Sequence, residues 1–194
     1  MPFVLTVDQR ASRRNPDRVP AALAALAGVP AVARFERTAG DEFQGVLDDP
    51  AAVVSVVLDL VRVGGWSIGV GAGPVQTPLP SSTRAGAGAA FVAARAAVEA
   101  AKRRPARVAV RGAAGVPAGD AQAVLTALAV LVQRRSPPAW AAIALVATGR
   151  TQAEAAAELG VTRQAVGQRL AAGGWEIERD LHPVAVRLLA RAAG

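Results

Sequence analysis

TQAEAAAELGVTRQAVGQRLAA, Thr151 to Ala172, is the stretch from which the reading starts, because it spells two capped helices and the turn between them. Thr151 stands at the N-cap of the first helix with Glu154 three residues on, the pattern of a capping box. Gly160-Val161 supplies the turn, where the chain needs a left-handed residue after a helix. Thr162 caps the second helix, Arg163 to Ala172. Ala155, Leu159, Val161, Val166 and Leu170 fall at the spacings that close a small core between two tightly packed helices. The preceding apolar segment, Trp140 to Ala147, adds a third helix that ends at Gly149.

That core leaves Arg163, Gln164, Gly167 and Gln168 on the outer face of the second helix, with Arg169 beside them. Arginine and glutamine form bidentate pairs with guanine and adenine edges in the major groove. Thr151, Gln152 and Thr162 are expected near the phosphate backbone, where hydroxyls and helix N-terminal amides position such a module. No acidic residue lies between Arg163 and Trp175. The motif resembles the helix-turn-helix of many bacterial regulators and of sigma-factor DNA-binding regions. The resemblance implies double-stranded DNA as a partner. A plain helical hairpin with a polar face is the alternative for the same residues.

Working outward, the chain of 194 residues has room for one large or two small domains, and 52% of it is hydrophobic, much of that alanine. No apolar run approaches the roughly 20 residues that span a bilayer. The apolar start, Met1 to Val7, precedes its positive charges rather than following them, the wrong order for a secretory signal. A cytoplasmic protein with no membrane partner is the expectation. Cysteine is absent and His182 is the single histidine, so a metal would need carboxylate ligands, which suit magnesium, calcium or manganese. The net charge of +7, carried almost wholly by arginine, favours an anionic partner.

The first part alternates strands and helices. Strands are expected at Phe3–Val7, Val32–Thr38, Phe43–Leu47, Trp66–Val75 and Arg107–Val110. Helices fall at Val19–Ala27, from Pro50 (capped by Asp49) to Val63, and at Ala87–Arg103. The glycines of WSIGVGAGPV suggest close approach of another backbone or a ligand, and Gln76–Ala85 reads as a mobile loop. This order fits an α+β domain of ferredoxin-like type, with helices on one face of an antiparallel sheet. Gly112–Gly119 reads as a boundary, giving a first domain over 1–112 and a small all-α domain over 119–194. In the second, Asp120–Arg135 is amphipathic, Ser136-Pro137-Pro138 breaks it, and His182-Pro183 separates a last helix, Val184–Ala192. That helix either docks on the helix-turn-helix or forms a dimer seam. Trp140 and Trp175 are expected as core anchors, and Arg103, Arg104, Arg107 and Arg111 as a solvated run or a second phosphate patch.

Asp8 ends the first strand, and Asp41-Glu42 occupies the turn of the following hairpin. In such a sheet these points lie side by side, where two carboxylates can share magnesium that bridges to nucleotide phosphates. Arg10, Ser12 and Arg13 follow Asp8 and are placed to donate to phosphate oxygens, with Glu42 as a further ligand-binding candidate. Thr38-Ala39-Gly40-Asp41-Glu42-Phe43 resembles the hairpin of the nucleotidyl cyclase and GGDEF superfamily, and SIGVGAGPV is similar to its later strand. With the GAGAAFVAARAAVEAAK helix, the segment Phe3–Arg111 most resembles SatD-like bacterial proteins. The resemblance places Asp8 and Asp41 on two metal-binding aspartates. Arg95 matches a cyclase arginine, but Phe91 stands where cyclases carry asparagine, and Gln9-Arg10-Ala11-Ser12 replaces the small residues that wrap a triphosphate. It therefore implies a ligand-sensing domain without turnover in a homodimeric transcriptional regulator. The opposing expectations are a metal-dependent nucleotidyl cyclase controlled by a DNA-binding tail, or a scaffold that binds other proteins.

Overall fold

The structure, a computed structural model, describes residues 1–194. It is an α+β fold with one five-stranded mixed sheet and eight α-helices. In chain order the elements are β1 (Phe3–Gln9), α1 (Val19–Leu26), β2 (Ala33–Ala39), β3 (Glu42–Leu47), α2 (Pro50–Val63) and β4 (Trp66–Ala72). Then come α3 (Ala89–Ala101), β5 (Val108–Gly112), α4 (Gly115–Gln133), α5 (Pro137–Ala147), α6 (Gln152–Leu159), α7 (Arg163–Ala172) and α8 (Trp175–Ala192). Asp49 caps α2 as its sequence suggests, accepting from the Ala51 N–H at 2.8 Å.

The strands lie in the order β2-β3-β1-β4-β5. β1 is central and antiparallel to both neighbours, with Leu5 opposite Gly45 on one side and Val70 on the other. The expectation of a wholly antiparallel sheet is corrected at β5, which runs parallel to β4. The cause is the connection: a strand joined to its neighbour through a full helix crosses over and returns in the same direction.

Helices on one face only is the second expectation to be corrected. Phe3, Leu5, Val7, Phe43, Leu47, Ile68, Val70, Val108 and Val110 point to one side, where they share a core with α1, α2, α4 and α8. Val4 and Val46 point to the other side and meet Ala90, Phe91 and Ala94 of α3. Gly69 and Gly71 explain how α3 lies so close. A Cβ on Gly71 would stand 2.1 Å from the Ala90 carbonyl oxygen, and one on Gly69 would stand 2.2 Å from the Val98 nitrogen. The glycine-rich strand is thus the seat of a helix backbone.

The expected boundary at Gly112–Gly119 does not coincide with a break in packing. α4 starts at Gly115, and its Ala118, Ala121, Leu125, Leu128, Ala129 and Val132 belong to the same core as the sheet. Ala185, Leu189 and Ala192 of α8 join them. α4 has the length and composition of a membrane-crossing helix, yet this face of it is packed inside the protein. α8 also runs through Pro183 rather than stopping at His182. Burial of its apolar face against α4 outweighs the one backbone hydrogen bond that proline removes. α5, α6 and α7 close a small core of their own, of Ala142, Ile143, Ala155, Ala156, Val166 and Leu170.

Gln76–Ala85 is not free chain. Thr83–Ala85 forms a short 3-10 turn whose start is held by Glu36 of β2. The Ser82 and Thr83 hydroxyls donate to the Glu36 carboxylate at 2.6 and 2.9 Å, as does the Thr83 N–H. A long-range carboxylate cap of this kind leaves no local mark in the sequence.

Candidate functional site

The outer helices assemble from local rules. Ser136 caps α5. At α6 the Thr151 Oγ1 accepts from the Glu154 N–H at 3.2 Å, while the Glu154 carboxylate accepts from the Thr151 N–H at 2.7 Å. The Thr151 N–H and the Thr151 hydroxyl, both donating to the Glu154 carboxylate, hold it below its usual range. Gly160 follows with φ +63 and ψ 34, a left-handed residue that lets the chain turn at once. Thr162 then accepts from the Ala165 N–H at 3.1 Å and opens α7.

Of the eight residues singled out here, Thr151, Gln152, Thr162, Arg163, Gln164 and Gln168 are exposed, and Gly167 and Arg169 are half-buried. They come from the start of α6 and the outer side of α7. A Cβ at Gly167 would lie 3.5 Å from the Gln152 side-chain oxygen, so the two positions adjoin across the helix pair. Neither Arg163 nor Arg169 is engaged by a carboxylate, whereas Arg150 pairs with Glu158 on the flank of α6. Trp175 packs on the small core; Trp140 packs instead on the main one, with the Arg62 and Arg135 guanidiniums 4.4 and 4.8 Å from its ring centroid.

A second candidate lies at the end of β1. A cleft of about 860 Å³ is lined by Asp8, Arg10, Ser12, Arg13 and Asp41, which brings five of the six residues singled out in the first part together. Glu42 is the exception and is corrected: its carboxylate accepts from the Thr38 hydroxyl at 2.7 Å across the hairpin and does not line the cleft. The loop after β1 is held in shape by Gln9, which is 2% exposed. Its side chain donates to the Pro16 carbonyl and accepts from the Arg18 N–H, both at 2.8 Å. Ala11 sits inside that loop with φ +52. Non-glycine residues in this region carry a conformational cost that the rest of the structure must hold in place.

Lys102 at the end of α3 also lines the cleft and is the single lysine of the chain. Its ammonium lies 3.1 Å from Asp8 and 2.8 Å from Glu99. Burial nevertheless lifts the Asp8 carboxyl above its usual range, against the lowering by Lys102 and with a further push from Asp41. Asp8 and Asp41 are therefore close enough to repel, which is the arrangement a divalent cation relieves. No third aspartate, glutamate or histidine joins them in a metal-holding cluster, and Lys102 already shares Asp8.

The sequence pattern does not mark Lys102, Arg14, Arg18 or Ser67 as cleft residues, and it groups Arg107 with Arg103, Arg104 and Arg111, which do not line the cleft. The lone lysine among arginines was the one available signal. Comparison of the chain with protein-family models, with curated proteins and with solved structures finds no match.

Proposed function

We propose that this protein is a DNA-binding transcriptional regulator in which α6 and α7 form a helix-turn-helix. The observation that carries the proposal is the exposed outer side of α7, where Arg163, Gln164 and Gln168 stand free of acidic neighbours behind a capped turn. A helix of this kind enters the major groove with its N-terminal residues toward base edges, while Thr151, Gln152 and Thr162 meet phosphates. Gly167 allows close approach, and Arg169 contributes charge along the groove.

The sheet region would then be a ferredoxin-like, cyclase-type domain of SatD-like character that senses a ligand. Supporting this is the cleft, where Arg10, Ser12 and Arg13 would hold nucleotide phosphates and Asp8 and Asp41 a magnesium ion. Glu42 has no part in it. Two copies of the chain would read half-sites one helical turn apart, and ligand occupancy would change the spacing of their α7 helices. A nucleotidyl cyclase is the competing activity, and Asp8 with Asp41 is the observation that favours it; incubation with nucleoside triphosphates and manganese, followed by analysis for cyclic product, separates the two.

Titration of labelled duplex DNA between 50 and 200 mM salt tests the main proposal. The expected result is an affinity that falls steeply with salt, because each phosphate contact releases counterions. Affinity unchanged in a protein carrying both Arg163→Ala and Arg169→Ala rules out α7 as the reading helix.

A further inference from the structure

A second cavity, of about 340 Å³, lies between the end of α2, the start of β4 and the end of α4. Arg10, Arg62, Arg107 and Arg135 line it together with Gln133 and Trp66, and no carboxylate does. Trp66 is 4% exposed and Arg135 8%. The indole Nε1 of Trp66 and the Nη1 of Arg135 are both sealed from solvent without a hydrogen-bond acceptor. The other donors of Arg135 are spoken for: Nε donates to the Gly173 carbonyl at 2.7 Å and Nη2 pairs with Glu178. Arg107 also adopts a left-handed backbone, φ +57, and its Nη1 donates to the Lys102 carbonyl.

Buried donors without acceptors are rare in folded proteins, and each costs on the order of 1–3 kcal/mol. Arg135 is answered by Glu178, but Arg10, Arg62 and Arg107 gather around the same void without a salt bridge and repel each other as well. One species answers both deficits: an anion that accepts hydrogen bonds from several directions. Water answers only the first. The volume is about ten times that of a water molecule in the liquid, enough for a tetrahedral oxyanion with some of its hydration.

We infer that this cavity is a phosphate site, formed by Arg10, Arg107, Arg135, Gln133 and the Trp66 indole. It goes beyond the proposed function and is independent of whether α7 meets DNA. Arg10 and Arg107 line the larger cleft too, so the phosphate is either free orthophosphate or a group carried by a nucleotide bound there.

Calorimetric titration of the full chain with orthophosphate, against chloride at equal ionic strength, is the test. Saturable one-site binding is expected. Gln133→Glu changes an exposed, isosteric residue that lines only the smaller cavity, and should weaken binding at least tenfold. Trp66→Phe should weaken it severalfold by removing one donor, while Arg187→Gln, exposed on α8 and lining neither cavity, should leave it unchanged. A parallel titration with GTP and magnesium separates the sources. If Gln133→Glu weakens GTP as well, the nucleotide's own phosphate enters the cavity; if GTP is unaffected, the free ion is the ligand. No saturable binding by the natural protein overturns the inference, as does equal affinity in Gln133→Glu or an equal loss in Arg187→Gln.

Discussion

The five-stranded sheet and the α5–α7 unit are held together by very different means. Thirty-two buried residues form the main core, drawn chiefly from β1, β3, β4, β5, α1, α2, α4 and α8. Six form the small one, all within one stretch between Ala142 and Leu170. On the far side of the sheet α3 meets Val4 and Val46 but rests backbone against backbone at Gly69 and Gly71, where no side chain lies between to absorb a change. α6 and α7 rely instead on N-caps, a left-handed glycine and a few alanine and leucine contacts. A large core assembled from distant segments should fail all at once; a small one stitched by local bonds should loosen without taking the sheet with it.

The sharpest way to break that contrast is Gly71→Ala. The added carbon meets the backbone of Ala90 and Ala94, which cannot move without lifting α3. A loss of about 3 kcal/mol in global stability is expected from overpacking of this kind, read as a lower midpoint in denaturant. A midpoint within error of the natural protein's would mean that α3 shifts freely. Leu170→Ala should come next, at about 2–3 kcal/mol, for a side chain only 6% exposed. Its effect should be regional: amide exchange should accelerate in α5–α7 while β1 and β4 keep their protection. Uniform acceleration would show that the two cores unfold as one.

Thr151→Ala should cost about 1 kcal/mol, the usual worth of an N-cap, and should be felt in α6 alone. The smallest effects are those of pH. Glu36 and Glu154, one in each region, are both held below the usual carboxylate range, Glu36 chiefly by the Ser82 hydroxyl and Glu154 by the Thr151 N–H. A lowered folded value means each stabilises fully above the unfolded value and loses that contribution as pH falls through the folded one. NMR titration of the two carboxyls should therefore give midpoints below those of an unstructured peptide. Glu36→Gln should flatten the acid dependence of amide exchange over residues 82–86, and Glu154→Gln should do the same at the start of α6.

The same contrast explains what the sequence disclosed. The caps, the turn and the buried positions of α6–α7 depend on residues within a few places of each other, so Thr151, Glu154, Gly160 and Thr162 could be read directly. Asp49 was legible for that reason, and the strand alternation brought Asp8 and Asp41 to one end of the sheet. What escaped depends on partners far away in the chain. α4 and α8 share a core with β1 and α2, and no local pattern distinguishes that packing from a separate helical domain. The parallel pairing of β5 follows from how α3 crosses over. Glu42 turned to Thr38 rather than the cleft, and Lys102 reached Asp8 across more than 90 residues.

Selection of bound fragments from a random duplex library is the most direct test of α7 as a reading helix. Enrichment of a motif with two related half-sites, lost when Arg163 and Arg169 are both changed to alanine, is the expected result. A selection that returns no motif, or the same motif from the altered protein, contradicts it.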